Sequence, residues 1–333
     1  MTTAEAPAGR KITYVQAITE AYQQIMRQDP EVFIAGEDVA GAGGVFGTYR
    51  GMLAEFGPMR VIDTPISESG IVGLGVGAAA VGLRPIVDIM MMDFIGECMD
   101  EIVNQMAKMR YMFGGKARLA VTLVTMAGAG SSSAAQHSQS LEAWFCHVPG
   151  LKVVMPSTPY DAKGLIVAAV RDDNPTIVVM NKQSLRTEGE VPEELYEVPI
   201  GRGRIAREGS NFTIVATGRM VSQALQAADE LQADGIDAEV IDPRTLQPFD
   251  TQLIANSVRK THRALVAHEA VRFGGFGAEI AAQIQEEAFD YLDAPVARVG
   301  APFCPVPFSP VLEQQYVPTA SWIVDAVRRT LGR

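Results

Sequence analysis

Short runs of β-branched and other apolar residues alternate with longer segments of helical periodicity from Ile12 to about Arg298. This rhythm is typical of parallel strands joined by crossover helices. The sequence therefore predicts an α/β protein built on parallel sheets. In the first half, the predicted strands are Val32–Ala35, Arg60–Ile62, Pro85–Ile89, Leu119–Val124, Lys152–Met155 and Thr176–Met180.

The clearest helical pattern in the chain runs from about Phe94 to Phe113. Its apolar residues follow one another at intervals of four and three, which places them on one face of a helix. They are Ile95, Met99, Ile102, Met106, Met109 and Phe113. The pattern predicts one continuous helix with a buried stripe.

A Glu-rich stretch with little periodicity, containing Pro192 and Pro199, separates two α/β regions and is typical of a linker or an extended connection. We therefore predict a first domain over residues 1–185, a linker over 186–199 and a second domain over 200–333. The second domain is predicted to contain strands Phe212–Ala216, Ala238–Ile241, Ala264–Ala267 and Val296–Val299, and helices Val221–Ala233, Thr251–Lys260, Ala278–Ala288 and Ala320–Thr330.

Composition narrows the class of function. The 333 residues include 28 Lys and Arg against 39 Asp and Glu, a net charge of −11, which disfavours a nucleic-acid partner. The longest uncharged apolar run, between Glu68 and Arg84, is shorter than the roughly 20 residues that span a bilayer. The first ten residues lack the apolar core of a signal peptide, and the three cysteines are scattered. We expect a cytoplasmic protein with reduced thiols.

The residue types of one segment match the fingerprint of dinucleotide-binding proteins. Gly73 to Ala78 reads G-x-G-x-x-A, which in NAD-binding proteins follows a strand directly. Here Gly73 falls inside a predicted helix, so the context argues against an NAD-dependent dehydrogenase. Close packing of another backbone against a glycine-rich helix is the better interpretation.

Glu68 lies where a predicted strand has ended and a nearly uncharged helix begins. A carboxylate there either complements the positive end of the helix dipole or has a chemical role. In an apolar setting, desolvation would raise its pKa towards neutrality and allow it to exchange protons. From the local pattern both interpretations stay open.

His137 is one of four histidines and sits in a loop of small residues after a predicted strand, at the sheet edge where α/β proteins bind ligands. The nearby serines do not form G-x-S-x-G, and the neighbours Cys146 and His147 point apart on a helix, which weakens a hydrolase interpretation. His262 and His268 lack a zinc-site spacing. A hydrogen-bonding role and a catalytic role both remain for His137.

Several segments together carry a family resemblance that no single motif carries. They include Arg60–Glu68 (RVIDTPISE), Gln136–Ser140 (QHSQS), Pro149–Val154 (PGLKVV), Pro156–Gly164 (PSTPYDAKG) and Val240–Thr245 (VIDPRT). In order and over nearly the whole chain, the sequence resembles the beta subunit of the thiamine-diphosphate-dependent component of 2-oxoacid and acetoin dehydrogenase complexes, of the pyruvate dehydrogenase beta type.

The resemblance implies a transketolase-like fold, with a pyrimidine-binding domain followed by a transketolase C-terminal domain. It implies that Glu68 hydrogen-bonds N1′ of the cofactor's aminopyrimidine and so activates the cofactor. Ile66 would be the apolar residue of this pocket, and Phe94 the ring that stacks on the pyrimidine. His137 would transfer protons and orient the lipoyl acceptor.

The resemblance also implies bound ions and partners. The chain contains no Gly-Asp-Gly, the motif that holds the divalent metal and diphosphate in this cofactor's families. An alpha subunit would therefore supply Mg²⁺ and the diphosphate site in an α2β2 assembly, and a lipoyl-bearing acyltransferase would accept the product. A K⁺ site is implied at Val121, Ala169, Val170, Asp172 and Asn174.

The predicted activity is cleavage of a C–C bond next to a carbonyl, with transfer of the acyl group to a lipoyl carrier. Tyr111–Ala117, Arg171–Pro175 and Ile241–Arg244 favour the acetoin-type members. Pyruvate and branched-chain 2-oxoacids are the alternative substrates. A scaffold subunit for an alpha partner is the non-enzymatic alternative.

Overall fold

The computed structural model describes residues 10–332, which form two compact units. The first unit contains the described residues up to Met126 together with Val148–Met180 and Ser184–Ile200. The second unit contains Ala127–His147, Asn181–Gln183 and the chain from Gly201 onward. Glu68 therefore belongs to the first unit and His137 to the second.

Strands and helices alternate along most of the chain, as in other α/β proteins. The strands are β1 (Arg10–Thr13), β2 (Val32–Gly36), β3 (Val61–Asp63), β4 (Arg84–Met91), β5 (Thr122–Ala127), β6 (Lys152–Val154), β7 (Thr176–Asn181), β8 (Glu188–Val191), β9 (Arg204–Arg207), β10 (Phe212–Ala216), β11 (Ala238–Asp242), β12 (Thr245–Gln247), β13 (Ala264–Val271) and β14 (Ala297–Ala301). The α-helices are α1 (Tyr14–Gln28), α2 (Met52–Phe56), α3 (Glu68–Ala80), α4 (Met109–Met112), α5 (Glu142–Cys146), α6 (Pro159–Arg171), α7 (Met220–Ala233), α8 (Thr251–Thr261), α9 (Gly277–Ala288), α10 (Pro310–Tyr316) and α11 (Ala320–Thr330).

The first unit is built on a sheet with the strand order β6-β7-β5-β4-β2-β3. The pairs β2/β3, β2/β4, β4/β5 and β6/β7 are parallel. Every residue of β2, β5 and β7 is buried, as expected for strands covered on both faces. Helices α1 and α6 pack against each other beside this sheet.

The sequence shows why α1 begins where it does. Thr13 caps the helix by accepting from the Gln16 backbone N–H, and the Gln16 side chain accepts from the Thr13 backbone N–H. This reciprocal capping box satisfies two backbone donors at the helix start. The buried face of the helix, from Tyr14 to Met26, repeats at intervals of three and four residues.

The second unit contains a sheet with the order β14-β13-β10-β11-β9. Strands β14, β13, β10 and β11 are parallel, and β9 is antiparallel to β11 at the edge. Helices α7 and α11 pack together on this unit's core. The prediction of an α/β protein with two parallel-sheet regions is confirmed.

The prediction of one continuous helix over Phe94–Phe113 is wrong. The structure has a 3₁₀ helix at Met92–Cys98, a π-helical turn at Glu101–Met106 and then α4. In the π turn the Ala107 N–H bonds to the Ile102 carbonyl five residues earlier, at 2.9 Å. The wider turn keeps Ile102 and Met106 buried, whereas Phe113 is exposed.

The segment predicted as a linker contains β8, which pairs antiparallel with β1. Periodicity does not reveal a short two-stranded ribbon whose partners lie about 180 residues apart. Across residues 10–332, no helix combines the length and apolar character needed to cross a membrane.

Candidate active site

Glu68 occupies the carboxyl edge of the first unit's sheet. The Thr64 N–H bonds to the Gly36 carbonyl at 3.0 Å, so the chain leaves β3 beside the end of β2. The Asp63 carboxylate accepts from the backbone N–H groups of Ala40 and Gly41 at 2.6 and 3.1 Å. Glu68 is then the first residue of α3, as predicted. Parallel sheets bind ligands at this edge.

Other ionisable groups surround Glu68. Burial, together with the charges of Asp38 and Glu68, raises the pKa of the Glu37 carboxyl above its ordinary value. Burial, together with the charges of Glu101 and Glu68, raises the pKa of the Cys98 thiol to about 12. Glu37 directly follows β2, and that position after a buried strand is the sequence signal for its place here. The result is an acidic site with an inert thiol.

The two predicted apolar site residues flank this carboxylate in the chain. Ile66 lies in the β3–α3 loop and is 75% exposed. Phe94 is half-buried in the 3₁₀ helix that follows β4. The Ser69 hydroxyl donates to the Glu97 carbonyl at 2.6 Å and so joins the first turn of α3 to that 3₁₀ helix. The first unit thus brings the segments of Glu68, Ile66 and Phe94 together.

His137 lies in the second unit, in the loop between β5 and α5, and its residue is exposed. The His137 carbonyl accepts from the Lys182 ammonium. Glu142 at the start of α5 is fully buried, and burial raises the pKa of its carboxyl to about 7. His137 is thus an exposed residue on a loop whose backbone is bound by the buried Lys182.

The hydrolase and zinc interpretations gain no support. Burial and the charge of Glu142 raise the pKa of the Cys146 thiol, so the thiolate nucleophile is disfavoured. His262 bonds through Nδ1 to the Tyr291 carbonyl at 2.9 Å. Burial and the charge of Arg298 lower the pKa of His268 to about 4. Within the described ranges, no three His, Cys, Asp or Glu side chains cluster in a way that could hold a metal ion.

The glycines of the dinucleotide-like motif lie within α3 and do not form a strand-to-helix turn. A Cβ atom added at Gly75 would lie 2.7 Å from Val87 Cγ1, so this glycine lets α3 approach β4 closely. Cβ atoms added at Gly73 and Gly77 would meet open space. The close-packing interpretation therefore holds for Gly75, and the other two glycines present an exposed, narrow face.

The predicted K⁺ ligands lie in two segments of the chain, at the end of α6 with the turn that follows it, and immediately before β5. They are Val121, Ala169, Val170, Asp172 and Asn174.

The Asp172 carboxylate binds the Lys152 ammonium, and its Oδ1 accepts from the Asn174 side chain at 2.8 Å. Burial raises the pKa of the Asp172 carboxyl, but these hydrogen bonds lower it by more, so that the pKa lies below its ordinary value. The Val170 carbonyl accepts from Arg84 Nη1 at 3.0 Å. Two basic side chains thus already supply positive charge here, and K⁺ binding stays a prediction.

Comparison with known proteins identifies the family. The family "Transketolase, pyrimidine binding domain" matches residues 10–188, and "Transketolase, C-terminal domain" matches residues 201–323. The chain is 48% identical to the acetoin:2,6-dichlorophenolindophenol oxidoreductase subunit beta of Bacillus subtilis (strain 168), over 97% of this chain and 98% of that protein. The chain belongs to the transketolase-like dehydrogenase beta subunits.

Other beta subunits are about as similar. The subunit of the same name from Cupriavidus necator is 47% identical, over 97% of this chain and 98% of that protein. The pyruvate dehydrogenase E1 component subunit beta of Rickettsia felis is 46% identical, over 96% of this chain and 98% of that protein. A solved split-gene transketolase, an inactive beta4 tetramer, superposes with a TM-score of 0.80 at 26% identity, covering 96% of this beta subunit and 99% of that chain. The family resemblance drawn from the sequence is confirmed.

Proposed function

We propose that this chain is the beta subunit of a thiamine-diphosphate-dependent acetoin dehydrogenase, which cleaves a C–C bond next to a carbonyl and passes the acyl group to a lipoyl carrier. The observation that carries the proposal is the placement of Glu68. It begins α3 at the ligand-binding edge of a pyrimidine-binding-type domain, beside the exposed Ile66.

The residues of the first unit fit the aminopyrimidine of thiamine diphosphate. Glu68 presents a carboxylate at the start of α3 that would hydrogen-bond a ring nitrogen of the pyrimidine. Ile66 offers an exposed apolar surface for the ring, and Phe94 an aromatic face. When bound, the cofactor supplies an electron sink that stabilises the carbanion formed on C–C cleavage.

His137 serves the second half of the reaction in this proposal. An exposed imidazole donates a proton to the lipoyl sulfur as the acyl group is transferred, and it orients that acceptor by hydrogen bonding.

We further propose an alpha subunit that holds Mg²⁺ and the diphosphate, in an α2β2 assembly, and a lipoyl-bearing acyltransferase as acceptor. Relatives at 46–48% identity are named as beta subunits, and this sequence has no Gly-Asp-Gly. Exposed Leu74 and Val81 on and after α3, with the open face at Gly73 and Gly77, offer an apolar surface for another chain. K⁺ binding and a cytoplasmic location belong to the same proposal.

Gly77→Leu is expected to abolish assembly without unfolding the subunit. The added side chain meets open space within this chain, and leucine favours a helix over glycine by about 0.8–1 kcal/mol. The same side chain would block close approach of a partner helix. Size-exclusion chromatography of the chain co-expressed with its alpha subunit measures this. Gln226→Leu, on the exposed face of α7, is the matched control and should assemble normally. An intact complex with Gly77→Leu contradicts the assigned surface.

The activity is tested on the chain co-expressed with its alpha subunit and supplied with thiamine diphosphate and Mg²⁺. Reduction of 2,6-dichlorophenolindophenol reports the first half-reaction, and acylation of a lipoyl domain reports the second. We expect kcat/KM for acetoin to exceed that for pyruvate and branched-chain 2-oxoacids by about tenfold or more. A tenfold ratio corresponds to a difference of about 1.4 kcal/mol in how tightly the enzyme binds the two transition states. A preference for pyruvate would favour the alternative that the Rickettsia felis relative supports. No dye reduction with any of these substrates would overturn the proposal.

A further inference from the structure

The loop that leads to His137 has a strained backbone. Gly128 and Gly130 have φ near +100°, and Ser132 and Ala134 have φ of +51° and +60°. Glycine adopts such angles freely, but serine and alanine are destabilised there by roughly 1–2 kcal/mol each. A conformation of this kind persists only where surrounding groups enforce it.

Glu313, on α10, holds the strained part directly. Its Oε1 accepts from the Gly130 N–H at 2.8 Å, and its Oε2 accepts from the Ser132 N–H at 2.8 Å. The Glu313 residue is only 3% exposed. One buried carboxylate therefore binds two backbone N–H groups that lie two residues apart in the loop. The second of them belongs to Ser132, which has a positive φ.

Glu269, on β13, holds the start of the same loop. Its Oε1 accepts from the Ala129 N–H at 2.7 Å, and its Oε2 accepts from the Asn181 side chain at 2.8 Å. The residue is 3% exposed, and burial raises the pKa of its carboxyl despite the opposing effects of Arg219 and these hydrogen bonds. A Cβ atom at Gly128 would lie 2.8 Å from Glu269 Oε1, so the loop backbone packs tightly on this carboxylate.

A third contact fixes the far side of the loop. The Lys182 ammonium donates to the His137 carbonyl. Ala129 also packs in a small apolar cluster with Ala301, Val306 and Tyr316, next to α10. The loop is thus fixed before, within and after its strained residues, and all these contacts lie in the second unit.

We infer that Glu269 and Glu313 are positioning residues, which hold the strained 128–134 backbone so that His137 faces the acyl acceptor. The inference rests on the role given to His137 in the proposed function. An ionised carboxylate suits this task because it only accepts hydrogen bonds, with both oxygens. A glutamine amide of similar size would place its NH₂ group against a backbone N–H at position 313. At position 269 it would place that group against either the Ala129 N–H or the Asn181 side-chain NH₂.

Glu313→Gln and Glu269→Gln test the inference in the assembled complex. Glu239→Gln is the matched control, since Glu239 is a fully buried glutamate of the same unit that binds Ser257 and Lys260 and does not contact the loop. If Glu269→Gln does not fold, Asn181→Ala removes one donor to the same carboxylate.

Amide hydrogen exchange over residues 129–140, followed by mass spectrometry, is expected to accelerate about tenfold or more in the two test variants and not in the control. Acylation of a lipoyl domain should slow by about 10- to 100-fold, as misplacement of a reacting group does, while dye reduction stays within about twofold. A merely structural glutamate would change both rates by the same factor, which is the behaviour expected of the control.

Unchanged exchange, equal slowing of both half-reactions, or unchanged acyl transfer despite faster exchange would each overturn the inference. The proposed function fails in a different way, through normal lipoyl acylation by His137→Asn. In that event the exchange comparison alone decides whether the two carboxylates hold the loop.

Discussion

Replacement of Glu68 by glutamine is expected to lower kcat of the assembled enzyme by about 10²- to 10⁴-fold, the range typical of a lost proton-transfer partner. Glutamine keeps the size of the side chain at the start of α3 but cannot share a proton with the pyrimidine nitrogen. Dye reduction with acetoin measures the overall loss. The rate of deuterium exchange at C2 of the bound cofactor measures the activation step itself and should fall in parallel.

Glu31→Gln is the matched control for Glu68→Gln. Glu31 is an exposed carboxylate of the same unit that directly precedes β2, at the opposite end of this strand from the sheet edge that carries Glu68. It should keep activity within about twofold, as surface changes usually do. Turnover by Glu68→Gln within a few-fold of the unmodified enzyme would favour the scaffold alternative over the proposed catalytic role.

His137→Asn is expected to separate the two half-reactions. Asparagine retains hydrogen-bonding capacity but does not titrate, so acylation of a lipoyl domain should fall by about 10²- to 10⁴-fold. Dye reduction does not need proton transfer to a lipoyl sulfur and should remain near its normal rate. Stopped-flow measurement of both reactions on one preparation gives the comparison.

His147→Asn provides the control, because His147 is another exposed histidine of the second unit, ten residues along the chain. It should leave both half-reactions unchanged. If His137→Asn slowed dye reduction and acyl transfer equally, His137 would act in the first half-reaction, and its assignment to the acceptor would be wrong.

The sequence predicts much of the fold because strands buried on both faces give short apolar runs that a helix does not imitate. Strand Phe212–Ala216 and helix Ala320–Thr330 are observed with the predicted bounds. Errors arise where tertiary packing decides the backbone. The π turn after Cys98 accommodates an extra residue while Ile102 and Met106 stay buried, and no spacing rule anticipates it.

The candidate site residues that directly follow strands in the sequence are the ones that could be predicted. Glu68 follows β3 and His137 follows β5, so their places could be read from local order. Glu269 and Glu313 could not be found in this way, because 140 and 183 residues separate them from the backbone groups they bind. Contacts of that range depend on the completed second unit.

The segment Ala127–His147 lies between two stretches of the first unit yet folds with the second. The residues that support it arrive only when the chain has passed Glu313. During synthesis, the histidine-bearing loop therefore gains this support only after residue 313 has been added. Exchange of the carboxyl-terminal half with that of a related protein would therefore also replace the residues that hold a loop encoded upstream.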